Sequence, residues 1–149
     1  MLEPEPIFIF DLATCTNYFI WNLGVEEKEE ERKNLYDLFL KSAVSKADKK
    51  YPLIAIPDNI VEKLVTSFSD RPLGVDAFLE ATDIISSPVF RELNIEDSLI
   101  KLAALYTFLK KPIYLVVSDI QIYDTLKQAN NGLKVLNLKD VGKILSSAS

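Results

Sequence analysis

The sequence predicts a single α/β domain, residues 1–149, in which a mostly parallel central sheet lies between two layers of helices. Short, fully apolar segments of strand-forming residues alternate with longer segments whose apolar residues recur every three or four positions. Strands that are apolar throughout are typical of parallel sheets covered on both faces. Right-handed crossovers through the intervening helices would join such strands into one sheet. No repeat or linker divides the chain.

The elements follow from apolar periodicity and from residues that begin or end helices. In the first half, the predicted elements are the strand Ile7–Phe10, a helix Thr14–Leu23 ending near Gly24, one long helix from the charged run Glu26–Lys33 to Ala43, the strand Leu53–Ile56, a helix capped by Asp58 and reaching Phe68, and, after the break at Pro72 and Gly74, a helix Asp76–Ile85. In the second half they are a strand Pro88–Phe90, the helix Ile95–Leu109 capped by Asn94, the strand Ile113–Val117, the helix Ile122–Ala129 ending at Asn130-Asn131-Gly132, the strand Lys134–Leu138 and the helix Asp140–Leu145.

Composition excludes several classes of function. Histidine is absent and Cys15 is the sole cysteine, which excludes Ser-His-Asp and Cys-His catalysis and the usual zinc sites. The four glycines do not form a phosphate-binding loop. An enzyme with this composition would depend on carboxylates, lysines, tyrosines or hydroxyls, and carboxylates that bind Mg²⁺ or Mn²⁺ are the commonest basis for hydrolysis with that set.

Charge and hydropathy bear on the partners and the location of the protein. The net charge of −5 argues against nonspecific nucleic-acid binding through a basic surface, although bound divalent cations would reverse the local field. No apolar run approaches the ~18–20 residues of a membrane span, and the acidic start does not resemble a secretory signal. We therefore expect no membrane partner and a cytoplasmic location.

Two aspartates follow predicted strands directly. Asp11 ends the first strand and Asp119 lies just past the strand Ile113–Val117. Ligands of open α/β sheets bind beyond the carboxyl ends of the strands, so both acids are candidates for one site. The alternative is that each aspartate caps the helix that follows it, and for either acid alone the cap is the better interpretation.

Two further acids lie near the starts of helices. Asp97 belongs to a helix that is apolar nearly all round, and it shares a face with Ile100, Ala104 and Phe108. A carboxylate buried there would need a partner or a cation, but Asp97 also occupies the capping-box position after Asn94, and the sequence favours neither interpretation. Glu62 lies at the border of its helix's apolar stripe and by itself is typical of a surface glutamate.

Other polar and aromatic residues have structural interpretations. Tyr18, Trp21 and Tyr36 are typical of packing rather than of base stacking. Lys49-Lys50 and Lys110-Lys111 are typical of solvated helix ends, although they are the best candidates for RNA contacts. Cys15 is expected to be small and buried, and it is a poor nucleophile without a neighbouring base.

The ordered acids resemble those of the PIN-domain family, which includes the ribonuclease toxins of toxin–antitoxin pairs. The resemblance lies in Ile7–Tyr18, Ile56–Phe68, Glu96–Pro112 and Ile113–Leu138, which contribute Asp11, Glu62, Asp97 and Asp119 in that order. Two positions depart from the family pattern. Ala13 stands where the family usually has Ser, Thr or Asn, and Val117 stands where it usually has Thr or Ser.

The resemblance implies a PIN-like fold and a metal-dependent ribonuclease. Asp11, Asp97 and Asp119 would be ligands of Mg²⁺ or Mn²⁺, and Glu62 would bind through water or position the attacking water. Thr14 and Ser118 are candidates to replace the missing hydroxyls. The resemblance further implies RNA as substrate, an antitoxin protein as a partner and a homodimer as the assembly.

Four converging acids also set an energetic requirement. Two like charges ~4 Å apart repel by roughly 4 kcal/mol at an effective dielectric of ~20, so the cluster would need a cation.

Two alternatives stay open. Ala13, Val117 and the acidic net charge favour a PIN-like domain that has lost activity and binds protein or RNA. A receiver-type or phosphatase-type domain with a phosphorylated aspartate would need a second acid beside Asp11, where the sequence has Leu12 and Ala13.

Overall fold

The computed structural model describes residues 6–21, 29–48, 54–106, 111–129 and 132–147. These residues form one five-stranded sheet in the order β3-β2-β1-β4-β5, with every neighbouring pair parallel. Helices flank the sheet, so the predicted α/β class with a parallel sheet between helical layers is confirmed. The strands and helices, in chain order, are β1 (Ile7–Phe10), α1 (Leu12–Trp21), α2 (Glu29–Ala47), β2 (Ile54–Pro57), α3 (Asp58–Ser67), α4 (Pro72–Glu80), β3 (Asp83–Ile85), α5 (Pro88–Arg91), α6 (Ile95–Tyr106), β4 (Ile113–Val116), α7 (Ile120–Gln128), β5 (Lys134–Leu136) and α8 (Leu138–Ser147).

The core lies along the inner strands. Every residue of β1 and of β2 is buried, as continuous apolar strands between two layers of helices require. Helix α6 packs across β1, β2 and β4, while α2 packs on β2 and on α8. No helix in the described part of the chain combines the length and the apolar character needed to cross a bilayer.

Strand order places a topological switch point between β1 and β4. From β1 the chain moves outward to β2 and β3, and from β4 it moves outward in the opposite direction to β5. In the register of the central pair Phe10 lies opposite Val116, and the Asp11 amide donates to the Val116 carbonyl at 3.2 Å. The carboxyl ends of β1 and β4 therefore lie side by side, which is where open α/β sheets bind ligands.

Several local predictions were wrong, and each has a physical reason. The predicted helix Asp76–Ile85 ends at Glu80, and Asp83–Ile85 forms the edge strand β3 by pairing with β2. The predicted strand Pro88–Phe90 is the helical turn α5, because Ser87 accepts a hydrogen bond from the Val89 amide and Pro88 suits the first helical position.

Two helix starts also differ from expectation. Pro57, not Asp58, occupies the N-cap of α3, and Asp58 lies in the first turn. Gly74 does not break the chain but lies within α4, which begins at Pro72. The predicted ends at Gly24 and at Asn130-Asn131 lie outside the described residues.

Candidate site at the carboxyl ends of β1 and β4

A cavity of about 300 Å³ opens at the switch point. Asp11 and Asp119 both line it, so the structure brings together the two acids that were predicted to follow adjacent strands. The complete lining consists of Asp11, Leu12, Ala13, Thr16, Asn17, Ile95, Asp119 and Ile122.

The Asp11 carboxylate is fully buried and held by donors from both strand ends. Its Oδ1 accepts from the Thr14 amide at 2.9 Å, the Thr14 hydroxyl at 2.5 Å and the Ser118 amide at 3.2 Å. Its Oδ2 accepts from the Asp119 amide at 3.2 Å. The carboxylate therefore caps α1 and also bridges β1 to the segment after β4, and Oδ2 keeps more acceptor capacity than Oδ1.

A short chain of hydroxyls supports this carboxylate. The Thr14 Oγ1 lies 2.7 Å from the Ser118 Oγ, and it is also 3.1 Å from the Val116 carbonyl oxygen. A hydroxyl has a single proton to donate, and the shorter contact gives that proton to Asp11. Ser118 is then the donor to Thr14, and the order of donation is Ser118 to Thr14 to Asp11.

Burial dominates the electrostatics of the pair Asp11 and Cys15. Desolvation raises the pKa of the Asp11 carboxyl above its usual 3.8, although the hydrogen bonds from Thr14, Asp119 and Ser118 oppose the shift. Burial, together with the negative charge of Asp11, raises the pKa of the Cys15 thiol well above its usual value. Burial therefore favours the neutral thiol of Cys15, which agrees with the expectation that this cysteine is buried and a poor nucleophile.

Asp119 is exposed and caps the helix that follows it. Its side chain accepts from the Ile122 amide at 3.1 Å through Oδ1, which makes it the N-cap of α7. The capping interpretation is therefore correct for both aspartates. It does not exclude a site, because both caps line the same cavity.

The other two predicted acids do not line this cavity. Glu62 is exposed on α3, and its Oε1 lies 4.0 Å from Nε of Arg91. Asp97 is exposed at the start of α6, where its amide donates to Asn94 Oδ1 at 2.8 Å. The predicted cap at Asn94 is confirmed, and Asp97 occupies the third position of the helix.

Of the two interpretations of Asp97 that the sequence left open, the structure supports the exposed position at the start of the helix and not the buried face. Helix α6 buries Leu99, Leu102 and Ala103, while Ala104, on the Asp97 face, is exposed. Across the described ranges, all four predicted acids included, no three or more Asp, Glu or Cys side chains form a group that could hold a metal ion. The structure thus shows a two-carboxylate site rather than a preformed cluster of four.

The two departures from the PIN pattern are visible in the site. Ala13 lines the cavity without a polar group, and Val117 is buried. Hydroxyls are nevertheless present one residue further along in each case, at Thr14 and Ser118, and both join the network around Asp11.

Two polar residues of the lining were missed by the sequence analysis. Thr16 and Asn17 lie on α1 with Ala13, three and four positions further along the helix. That spacing puts all three on the face of α1 that begins at Asp11, and it is the signal that would have found them.

The aromatic candidates whose side chains the structure describes have the packing role that was expected. Tyr18 packs against Tyr36, Phe39 and Phe78 in an aromatic cluster. Lys111 is half-buried beside β4. The side chain of Trp21, and Lys49, Lys50 and Lys110, lie outside the described residues.

The fold and the site define a three-layer α/β protein with a two-carboxylate cavity at the switch point of a parallel sheet. Searches for similarity to protein-family models, to curated proteins and to solved structures gave no match for this chain.

Proposed function

We propose that the chain is a Mg²⁺- or Mn²⁺-dependent ribonuclease whose reacting centre is the cavity at Asp11 and Asp119. One observation carries the proposal: two carboxylates from the ends of adjacent parallel strands line one cavity at the topological switch point. The PIN-like order of acids in the sequence adds the choice of RNA phosphodiesters as substrate.

The residues present fit a cation that keeps most of its water. Mg²⁺ is commonly held by one or two carboxylates and several waters rather than by a complete protein cage. Asp11 Oδ2 accepts one hydrogen bond, and Asp119 uses Oδ1 for its cap, so each carboxylate retains acceptor capacity. When bound there, the cation would polarise the phosphodiester and lower the pKa of a water ligand.

The chain's own residues have separate tasks in this site. Thr14 and the amides of Ser118 and Asp119 fix the orientation of the Asp11 carboxylate. Thr16 and Asn17 offer polar groups along one wall. The apolar wall of Leu12, Ile95 and Ile122 lowers the local dielectric, which strengthens the interaction of both carboxylates with a cation.

Glu62 and Asp97 enter the proposal only as predictions. Neither lines the cavity, so a direct contact with the same cation would need a rearrangement of α3 or α6. The proposal therefore depends on Asp11 and Asp119.

Cleavage of labelled single-stranded RNA by the purified protein tests the proposal. We expect Mn²⁺-dependent cleavage that EDTA abolishes and that Asp119→Asn lowers by at least about a hundredfold, since loss even of outer-shell partners costs 10–100-fold at metal sites. Glu62→Gln, which removes an exposed acid outside the cavity, should retain most of the activity. Cleavage that survives Asp119→Asn, or that persists in EDTA, would contradict the proposal.

A second candidate is a PIN-like domain that has lost activity and binds RNA or protein. It is favoured by the position of Glu62 and Asp97 outside the cavity and by Ala13 at the wall. The two candidates differ in metal dependence, because a binding module would retain its RNA or protein partner in EDTA and would not cleave RNA in Mn²⁺. An antitoxin and a homodimer remain predictions from the resemblance, and a cytoplasmic location remains a prediction from the hydropathy of the sequence.

A further inference from the structure

A groove between α2 and α8 is lined by lysines, although the protein is acidic. It has a volume of about 590 Å³, and Lys33, Lys41, Lys139 and Lys143 line it. Two carboxylates, Glu30 and Asp37, also line it, so the groove carries two more positive than negative side chains in a chain of net charge −5. All four lysines are exposed, and Lys143 Nζ also lies 3.7 Å from Asp140 Oδ1 in a surface ion pair.

The two helices that form this groove are fixed by a buried polar contact. Asn34 of α2 donates from Nδ2 to the Leu138 carbonyl at 2.8 Å. Gly142 of α8 faces the Asn34 side chain so closely that an added Cβ would lie 3.0 Å from its Nδ2 and Oδ1. Because this contact fixes the spacing of the helices, the lysines line a groove that exists before a ligand binds.

A second cavity lies beside the carboxylate cavity, and two of its lining residues adjoin residues of the lysine groove in the sequence. It has a volume of about 170 Å³ and shares Asn17 with the carboxylate cavity. It is also lined by Glu31 and Leu138, which are the chain neighbours of Glu30 and Lys139 in the groove. The second cavity is therefore next to the carboxylate cavity, and the segments that line it continue into the groove.

The groove and the second cavity together provide the features that single strands of nucleic acid require. Such strands are bound by positively charged grooves that follow the phosphates and by aromatic rings on which bases stack. Half-buried Tyr123 lines the second cavity, with Asn137 and Ser118 as hydrogen-bonding groups beside it. We propose that the lysine groove between α2 and α8 binds the phosphate backbone of a single-stranded RNA whose scissile bond lies at Asp11 and Asp119. This inference rests on the proposed function for the choice of RNA.

Binding of a short fluorescein-labelled oligouridine, measured by polarisation in EDTA over a range of salt concentrations, tests the groove without cleavage. The test variant is Lys33→Gln with Lys139→Gln, one lysine from each helix. The matched control is Lys63→Gln with Lys101→Gln, exposed lysines on α3 and α6 that remove the same charge. For two lost phosphate contacts we expect the Kd to rise roughly tenfold at ~0.1 M salt and the slope of log K against log salt to fall by about 1.4.

A charge-preserving variant separates charge from folding. Lys33→Arg with Lys139→Arg should bind as the wild type does, because both keep the positive charges in the groove. Three results would contradict RNA binding by the groove. They are a similar loss of affinity in the groove and control pairs, no loss of affinity in the groove pair, and no binding of the RNA by the wild type. If polyglutamate displaced the RNA as readily as unlabelled RNA does, RNA binding by the groove would also be contradicted, and an acidic polypeptide would be the favoured ligand.

RNA binding by the groove and the proposed ribonuclease activity can be contradicted independently of each other. RNA binding that needs the groove lysines, combined with no cleavage in Mn²⁺, would support the groove and contradict the ribonuclease. The opposite result is cleavage that needs Asp119 while the groove pair keeps both the cleavage and the RNA affinity of the wild type. It would support the ribonuclease and contradict RNA binding by the groove.

Discussion

The hydroxyls of Thr14 and Ser118 lie 2.7 Å apart, although 104 positions separate the two residues in the chain. Thr14 lies in the first turn of α1, the helix after β1, and Ser118 follows β4, so the contact joins the two strand ends that form the site. Through Thr14 it also reaches the buried Asp11 carboxylate. The orientation of Asp11, the most buried acid among the residues that the structure describes, therefore depends on two neutral side chains as well as on backbone amides.

Replacement of Thr14 by valine should destabilise the protein. Thr14→Val keeps the shape of the side chain but removes the hydroxyl that donates to Asp11 and accepts from Ser118. We expect the free energy of unfolding to fall by about 1–3 kcal/mol, because a buried carboxylate loses a donor. Urea denaturation measures the change. Thr16→Val, on the same helix, is the matched control because its half-buried side chain has no hydrogen bond of this kind. Equal effects at both positions would contradict the role of the Thr14 hydroxyl.

The stability of the protein should carry a pH dependence that comes from Asp11. Burial raises the pKa of this carboxyl above the ordinary value of 3.8 that it has in the unfolded chain. Between those two pKa values the folded state binds more protons than the unfolded state. The contribution of Asp11 is therefore fully present below pH ~3.8, the unfolded pKa, and is lost as the pH rises through the raised folded pKa.

The Asp11→Asn variant isolates that contribution. The difference in unfolding free energy, wild type minus Asp11→Asn, should fall as the pH rises from below 3.8 toward neutrality in EDTA. Its slope should not exceed about 1.4 kcal/mol per pH unit for one group. The Asn amide facing the Asp119 amide adds a cost, but that cost does not change with pH. Asp124→Asn, an exposed acid on α7, is the control for loss of a charge. A difference that rises with pH would show that the hydrogen bonds outweigh burial.

Two substitutions at Asp119 should distinguish its role as a helix cap from its proposed role in metal binding. Asp119→Asn keeps an acceptor for the Ile122 amide, whereas Asp119→Ala removes it. We expect the alanine variant to lose about 1 kcal/mol of stability and the asparagine variant only a few tenths. Both should bind Mn²⁺ more weakly by roughly tenfold or more, as measured by isothermal titration calorimetry. If the asparagine variant bound Mn²⁺ with wild-type affinity, Asp119 would act as a helix cap and not as a metal ligand.

The sequence was sufficient for the interior of the fold. Ile7–Phe10 is an apolar strand that is buried throughout, and Ile113–Val116 is an apolar strand that is buried at its last two residues; their local composition makes such strands recognisable. The edge strand Asp83–Ile85 was missed because it is three residues long and partly exposed. Its strand conformation comes from pairing with β2 and from the Tyr106 hydroxyl, which donates to Asp83, and both contacts are tertiary.

The sequence predicts the part of the candidate site that lies at the ends of strands. Asp11 and Asp119 follow adjacent strands directly, so parallel pairing brings them together. Glu62 and Asp97 lie on helices, and the rotation of α3 and α6 against the sheet decides where those side chains lie. That rotation depends on contacts such as the hydrogen bond from Asn59 Nδ2 to Ser98 Oγ at 2.6 Å, which a sequence pattern does not reveal.

The packing of α2 on α8 predicts opposite effects of the same substitution at two helical glycines. In Gly142→Ala the new methyl would lie 3.0 Å from Asn34, which is buried and tied to the Leu138 carbonyl and so cannot move without losing that bond. We expect a loss of about 1–3 kcal/mol in the free energy of unfolding. In Gly74→Ala the nearest atom is the Phe19 Cε1 at 3.8 Å, an ordinary contact, and alanine should stabilise α4 by roughly 0.5 kcal/mol. Urea denaturation of both variants checks the pair, and an unchanged or higher stability of Gly142→Ala would show that α2 and α8 do not approach as closely as Asn34 indicates.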